Sequence, residues 1–247
     1  MFRHQGKSRT FKHNVQIAVV LSFVAGMVNA SGFMAIQQLT TNVTGHFASL
    51  IHAATHADFQ LAFVFFAYIF SFLLGSFSSG FLIEKFKVSK RLNVFVLPTL
   101  LEAFSLIVIA LLGDILQSPS VHLIACLLLF AMGLQNSFVT KISNAVVRTT
   151  HLTGLFTDLG IELSQLFFQK SHPNRKSIGA TIKLRIYIIC FFFLGGLFAG
   201  WLYLKIQLQL NTLIVAAFIL LASLFYDDLR FQIILTQRKY KQRRNQL

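Results

Sequence analysis

The sequence predicts an all-α integral membrane protein with six transmembrane helices, arranged as two inverted repeats of three helices. Three observations predict this fold: the composition, the lengths of the apolar runs and a short motif that occurs twice. Of the 247 residues, 55% are hydrophobic and 12% are charged, so a soluble fold would have too little polar sequence to cover its surface. We expect one membrane domain over 1–247, with repeat 1 at about 15–113, repeat 2 at about 121–226 and a basic tail at 227–247.

Six apolar runs are close to the length of about 20 residues that a helix needs to cross a bilayer. A β-strand would cross in about half that length, so a helix is the only spanning structure that fits these runs. The runs are Val15–Ile36, Phe59–Ile83, Leu92–Leu112, Val121–Phe138, Leu184–Leu204 and Leu208–Tyr226.

The lysines and arginines predict the orientation of these helices. The N-terminal arm, the second-to-third connection, the fourth-to-fifth connection and the tail hold 21 of the 22 basic residues, and only Lys205 falls elsewhere. Because basic loops remain in the cytoplasm, both termini are predicted to be cytoplasmic. This distribution accounts for the net charge of +14 without a nucleic-acid partner. The basic tail is expected to lie along anionic lipids of the inner leaflet.

A duplication is visible in two short motifs. The pattern T-T-x-x-T-G-x-F occurs at 40–47 and again at 149–156. A second match precedes each copy: Phe23, Gly26 and Asn29 recur as Phe130, Gly133 and Asn136. Two matches in the same order indicate an internal repeat. Because each copy contains three spans, an odd number, the copies should cross the membrane in opposite directions, as in many secondary transporters.

Each repeat also contains a shorter and more polar segment, Thr40–Ala57 in the first and Arg148–Phe168 in the second. Its threonines and glycine predict a helix capped by a Thr hydroxyl, with free N–H groups at the positive end of the helix dipole. Such a segment is tolerated inside a membrane where it lines protein or a water-filled cavity, which predicts a broken or re-entrant helix. An amphipathic helix lying flat at the interface is the alternative.

The polar residues of these motifs are the candidates for binding a solute or an ion. Polar groups are costly in a membrane, and two asparagines stand at equivalent positions of the repeat, although a hydrogen bond between helices would also explain them. The Thr-Gly pairs offer hydroxyls and helix N-terminal amides that suit an anionic group, with simple capping as the alternative. The predicted binding residues are Asn29, Thr44, Gly45, Asn136, Thr153 and Gly154.

Three acidic residues are candidates for proton coupling. Glu102 lies well inside the third span, four residues after Pro98. A carboxyl group at membrane depth is a functional candidate by default, and the proline should free a backbone carbonyl nearby. Asp158 and Glu162 are four residues apart and so share a helix face, where two close carboxylates could share one proton. A solvated cytoplasmic face is the alternative for that pair.

Other chemistry is not expected. His52 and His56 are four residues apart but lack the glutamate of the zinc-protease motif, so no metal site is predicted. The sequence contains no phosphate-binding loop, dinucleotide motif or nucleophile elbow, so we expect neither an enzyme nor a cofactor. Small residues in spans two and five predict close helix packing, and a homodimer through the glycines of span five is left open.

Two groups of residues carry a resemblance to a known family. The first is AGMVNASGF at Ala25–Phe33 with Thr44-Gly45, and the second is AMGLQN at Ala131–Asn136 with Thr153-Gly154 and Thr157–Gly160. On these residues the chain resembles the YoaK-type family of bacterial membrane proteins of unknown function. Members of that family usually carry Asp where Asn29 stands and often Asn where His46 stands. The resemblance implies six spans in a bacterial inner membrane and supplies no activity.

The functional prediction is a small secondary transporter or permease of a small polar or anionic solute, in a bacterial cytoplasmic membrane. The two asparagines and the two Thr-Gly pairs would line its central site. The alternative is a membrane scaffold or regulatory protein that transports nothing and acts through its basic loops and tail. Deletion of the chain after Tyr226 would then abolish activity, whereas Asn136→Ala would have no effect.

Overall fold

The computed structural model describes residues 9–87, 94–117, 121–168 and 175–226. Within these ranges the chain forms helices joined by turns, and it contains no β-strand. The helices are α1 (Phe11–Ile36), α2 (Val43–Thr55), α3 (Phe59–Phe86), α4 (Val96–Gln117), α5 (Val121–Ser143), α6 (Leu152–Phe168), α7 (Arg175–Leu204) and α8 (212–226). A single 3₁₀ turn, Gln209–Asn211, precedes α8. The predicted tail at 227–247 lies outside the described residues.

Within the described ranges, six helices are long and apolar enough to cross a membrane, which confirms the predicted number of spans. They are α1, α3, Val96–Gly113 of α4, α5, Ser177–Leu204 of α7, and Gln209–Tyr226, which includes α8. Some helices begin before the apolar runs: the first span starts at Phe11 instead of Val15, and the fifth at Ser177 instead of Leu184. Long basic side chains permit this extension, because their stems pack on apolar surface while the charge reaches water. The predicted start of the third span, Leu92, lies outside the described residues.

The two shorter segments form α2 and α6, which are not among the spans. Asn42 precedes α2, and its Oδ1 accepts a hydrogen bond from the Gly45 N–H at 3.0 Å. The predicted threonine cap is therefore wrong for α2, because an extended Asn is a better acceptor for this amide and Thr44 already lies inside the first turn. Thr153 of α6 is likewise a helical residue, one position after the start of the helix at Leu152.

The most extensive contacts join α1 to α7 and α3 to α5, so each pair combines one helix from each half of the chain. Glycines allow the backbones to touch. A Cβ atom added at Gly26 would lie 2.0 Å from the carbonyl oxygen of Phe192. At the equivalent Gly133 it would lie 2.2 Å from that of Phe72. The partner helices use glycine too, at positions 195 and 75, where an added Cβ would meet the carbonyl oxygens at positions 23 and 130.

Contacts at two levels show that α3 and α5 run parallel. Near their starts, Tyr68 and His122 share a hydrogen bond of 2.7 Å. Near their ends, Lys141 donates to Glu84 at 2.5 Å. We call the end of the bundle marked by Glu84 and Lys141 the basic end.

Helices α1 and α5 form the centre of the bundle, with the largest shares of buried residues among the spans. Helices α3 and α7 lie outside them and expose large apolar side chains, among them Phe63, Phe77 and Phe193. An exposed face of this kind is expected to contact lipid in a membrane. The bilayer is therefore the environment that these six helices imply.

Candidate functional site

Both copies of the repeated motif border one cavity of about 660 Å³. The first copy contributes the loop before α2 and the first residues of that helix. The second copy contributes the corresponding loop and first residues of α6. The middle of α3 and of α7 complete the wall, with Phe72, Ser76 and Phe192. Duplicated segments that are 109 residues apart in the sequence thus meet at one place.

The same hydrogen bond occurs in both halves. The hydroxyl of Thr41 donates to Oδ1 of Asn29 at 2.8 Å. The hydroxyl of Thr150 donates to Oδ1 of Asn136, also at 2.8 Å. Each bond fixes the loop before a short helix to the first long helix of its half. Each asparagine oxygen is therefore occupied, while its amide nitrogen remains available as a donor.

Four of the six predicted binding residues line the cavity: Asn29, Thr44, Thr153 and Gly154. The other two stand behind it. The amide of Gly45 is bound to Asn42, which is itself a lining residue. Asn136 is 7% exposed and reaches the cavity only through its partner Thr150. Its Nδ2 has no hydrogen-bond partner in the described part of the chain.

Sequence reasoning missed the threonines that hold the asparagines. It chose Thr44 and Thr153, whereas the residues in contact with Asn29 and Asn136 are Thr41 and Thr150. A signal was present, because the second threonine of T-T-x-x-T-G-x-F is identical in the two copies. A motif shows which positions recur, but it does not show how far the loop turns back along α1 or α5.

At the α2 side of the cavity, a buried histidine holds the loop. His46 is 3% exposed, and its Nε2–H donates to the Leu39 carbonyl at 2.6 Å. Its ring packs edge-on against Tyr68, with centroids 5.0 Å apart, and stacks beside Phe65. Burial lowers the pKa of His46 below its ordinary value, and the bond to Leu39 opposes this shift only in part. The neutral ring therefore serves as a fixed part of the fold here.

At the α6 side, an arginine of α7 holds the helix. Arg185 Nη1 lies 2.9 Å from Asp158 Oδ2, and its Nε and Nη2 each donate to Glu162 at 2.9 Å. A guanidinium that contacts two carboxylates makes charge-assisted hydrogen bonds, which are stronger than those between neutral groups. The arrangement ties α6 to α7.

Glu102 lies apart from the cavity. Its side chain is fully buried in α4, and neither carboxyl oxygen has a hydrogen-bond partner among the residues that the structure describes. The predicted effect of Pro98 is not observed, because this proline is in the first turn of α4, where its missing N–H has no helical acceptor to lose. Instead, the amide and hydroxyl of Thr99 both donate to the Phe95 carbonyl.

Potential metal ligands do not converge in the described ranges, where no group of three or more His, Cys, Asp or Glu residues could hold an ion. His52 lies in α2 and His56 caps the end of that helix, with their ring centroids 4.3 Å apart. Nδ1 of His56 is bound to the backbone carbonyl of His52 at 2.9 Å. This contact explains the proximity of the two rings.

Comparison with known proteins assigns the chain to a family. The sequence profile of the family described as "Protein of unknown function (DUF1275)" matches residues 17–226. The chain belongs to this family. The match runs from within α1 to the end of α8 and includes both copies of the repeated motif.

A curated relative agrees with this assignment. The chain is similar to the UPF0700 transmembrane protein YoaK of Bacillus subtilis (strain 168), with 26% identity over 180 residues, which are 72% of this chain and 79% of the relative. The resemblance inferred from the two motif regions is thereby confirmed. No solved structure matches the chain.

Proposed function

We propose that this DUF1275 protein is a small secondary transporter or permease, with its binding site in the central cavity. The observation that carries the proposal is the twin contact, Thr41 with Asn29 and Thr150 with Asn136, at the wall of one cavity. A scaffold has no need for duplicated polar loops at the centre of an apolar bundle, where each polar group is costly.

Equivalent contacts in the two halves support the same function. The two halves make equivalent glycine crossings and equivalent Asn–Thr bonds, and an odd number of spans in each half would invert one half relative to the other. In transporters of that architecture, substrates bind at the interface of the repeats, beside helices that are interrupted inside the membrane. Under this proposal α2 and α6 are re-entrant half-helices that approach the cavity from opposite sides of the membrane.

The lining of the cavity suggests the class of solute. In the described residues it consists of amides, hydroxyls, one imidazole and apolar side chains, without Asp, Glu, Lys or Arg. The first residues of α2 and α6 both border it, so two positive helix ends face the same space. A small polar or anionic solute would find hydrogen-bond donors there, whereas a cation would find no carboxylate to replace its hydration.

Glu102 is the acid that best fits proton coupling. It is fully buried, and neither of its carboxyl oxygens has a hydrogen-bond partner among the described residues, so a charge at this place would need a change in its surroundings. Asp158 and Glu162 already share Arg185, which makes them better suited to holding α6. Under this proposal a movement that admits water beside Glu102 would let it release a proton.

The orientation follows from the basic residues. We propose that the basic end of the bundle faces the cytoplasm of a bacterial cell, with both termini there. The lysines and arginines of this end, together with the tail, would contact anionic lipids of the inner leaflet. A tag on each terminus, digested from either side of sealed vesicles, tests this orientation.

The function is tested by a thermal-shift screen of the purified protein against metabolites at several pH values. A ligand at 100 times its dissociation constant should stabilise the folded state by about 2.7 kcal/mol. The shift should be lost in Thr153→Val and in Asn136→Ala. It should remain in Thr157→Val, whose hydroxyl donates to the backbone carbonyl of Thr153 in its own helix. A hit is then followed by uptake into liposomes. No shift across the library and no uptake would contradict the proposal and favour the scaffold that acts through its tail.

A further inference from the structure

Three cavities follow one another along α6. The central cavity shares His151 and Gly154 with a second cavity of about 250 Å³. The second shares Asp158, Thr181 and Arg185 with a third, of about 420 Å³, which lies further along α6. The lining of the second and third comes from α6, the preceding loop and the first half of α7. Together they form a gap between α6 and α7 that begins at the candidate binding site.

The equivalent place in the first half is filled. A Cβ atom added at Gly45 would lie 3.3 Å from the side chains of Leu39 and Asn42. One added at the equivalent Gly154 would meet nothing within 4 Å in the described part of the chain beyond its own helix backbone. His46 occupies the first-half position that corresponds to Leu155, and it fills the space against Tyr68. Helix α2 also contacts α3 far more extensively than α6 contacts α7. The two halves therefore share a sequence pattern but differ in packing.

Few apolar contacts hold α6 in place. Leu155 is its one buried residue within the described part of the chain, while Phe156 and Phe167 are 58% and 88% exposed. What ties the helix to α7 is Arg185, which reaches across the gap to Asp158 and Glu162. Glu162 is only 14% exposed at its side chain, so this pair is shielded from water more than a surface ion pair.

We infer that the gap between α6 and α7 is the passage that connects the central cavity to the basic end, and that Arg185 with its two carboxylates is the gate across it. In this state the passage is partly open, and the α2 side is closed by His46, Tyr68 and Phe65. The inference rests on the proposed function, because it names the route that a solute of that site would take. Arg185 acts here as a positioning residue, through the placement of α6 and hence of Thr153.

The test uses accessibility of a cysteine at the cavity, which does not require transport. Both native cysteines, Cys126 and Cys190, are replaced by alanine in the full chain, and Thr153→Cys is introduced as the reporter. Sealed vesicles of known orientation are treated with a membrane-impermeant thiol reagent from each side. The gate variant is Arg185→Gln. The matched control is Lys183→Gln, which removes a charge from the same helix at an exposed residue whose ammonium lies over Tyr187.

We expect the reporter to react from the basic end and to be protected from the other. Arg185→Gln should raise its rate of labelling by about fivefold or more, the lower limit of typical coupling between two states, and Lys183→Gln should leave the rate unchanged. Glu162→Gln, which keeps the arginine and Asp158, should also raise the rate of labelling. It replaces Arg185→Gln as the gate variant if that variant does not fold.

Two results would contradict the inferred passage. One is labelling of Thr153→Cys from the opposite end, and the other is an equal rate of labelling in Arg185→Gln, Glu162→Gln and the control. These outcomes are separate from those of the proposed function. If the cysteine is labelled as expected but the protein moves no solute, the inferred passage stands and the proposed transport function fails. If the protein transports a solute but its cysteine reacts only from the opposite end, the transport function stands and the solute must take another route.

Discussion

The hydroxyl of Thr41 donates to the side-chain oxygen of Asn29 at 2.8 Å, twelve positions earlier in the chain. This bond brings the loop after α1 back along that helix, so that α2 starts beside the cavity. Thr150 makes the same bond to Asn136 at the same distance. Two loops with one geometry, held at a shared cavity, are what a duplicated binding site requires.

Loss of either threonine hydroxyl should reduce the affinity for a ligand more than it reduces the stability of the fold. Thr41→Val and Thr150→Val keep the shape of the side chain and remove one hydrogen bond, which costs about 0.6 kcal/mol of stability in a membrane. The freed asparagine can rotate, so we expect the affinity for a ligand found by thermal shift to fall by about fivefold, or about 1 kcal/mol. Titration of the ligand by calorimetry measures this change.

Thr157→Val is the control for both variants. Its hydroxyl donates to the carbonyl of Thr153 within α6, one turn earlier in the same helix. It should bind the ligand as the wild type does. Equal affinity in all four proteins would show that the Asn–Thr bonds have no part in binding.

The glycine crossings should be the positions most sensitive to an added methyl group. Gly26→Ala and Gly133→Ala would each place a carbon about 2 Å from a carbonyl oxygen of the facing helix, and such overpacking costs typically 1–3 kcal/mol. Gly200→Ala adds a carbon where no atom lies within 4 Å, and it should be neutral or stabilising by up to about 1 kcal/mol.

Thermal unfolding in detergent compares these three variants with the wild type. If Gly26→Ala and Gly200→Ala unfolded at the same temperature, the close approach of α1 to α7 would not exist in the protein.

The six helices could be predicted because their signal is local. A run of apolar residues such as Phe59–Ile83 has few other structures available in a membrane, and α3 covers it completely. The duplication was also visible, since identical residues recur at fixed offsets. The small residues of spans two and five were expected to allow close packing, and an added Cβ would lie 2.1 Å from a facing carbonyl oxygen at Gly75 and 2.0 Å at Gly195. In span five the spacing itself indicated Gly196 and Gly200, and Gly200 makes no such contact with the described residues.

The contacts of the site could not be predicted, because they depend on which helices pair. No local pattern indicates that Arg185 of α7 would reach Asp158 and Glu162 of α6, 23 residues or more away. The N-cap of α2 was missed for a related reason, since Asn42 and the threonines around it are all good caps in isolation. The backbone conformation of the loop decides among them.

Glu102 should react with a hydrophobic carbodiimide and resist a water-soluble one. This residue is fully buried in α4 without a hydrogen-bond partner in the described ranges, so only a reagent that enters the apolar interior of the bundle should reach it. Mass spectrometry of the labelled chain should find the adduct at Glu102. Glu102→Gln should abolish that adduct while it keeps the length and shape of the side chain.

Glu84 provides the comparison, since it is exposed at the basic end and paired with Lys87 and Lys141. It should remain unlabelled by the hydrophobic reagent. An adduct on Glu84 with none on Glu102 would remove Glu102 as a candidate for proton coupling.

His46 should make the protein less stable in mild acid. It lies on α2, outside the six spans, and burial lowers its pKa below the ordinary value of 6.5. As the pH falls through 6.5, the unfolded chain takes up the proton first, so it holds more protons than the folded chain and the free energy of unfolding decreases. Above that pH the ring is neutral in both states and has no effect. The slope is at most about 1.4 kcal/mol per pH unit.

His46→Asn removes the titrating group and should flatten this dependence between about pH 7.5 and pH 5.5, the interval in which histidine changes charge. His52→Asn alters an exposed histidine of the same helix and should keep the slope of the wild type. Unfolding followed by tryptophan fluorescence at each pH measures both. The contrary result would be a free energy of unfolding that falls in acid as steeply in His46→Asn as in His52→Asn. The ring of His46 would then not be buried against Tyr68, and the closed α2 side of the cavity would need another explanation.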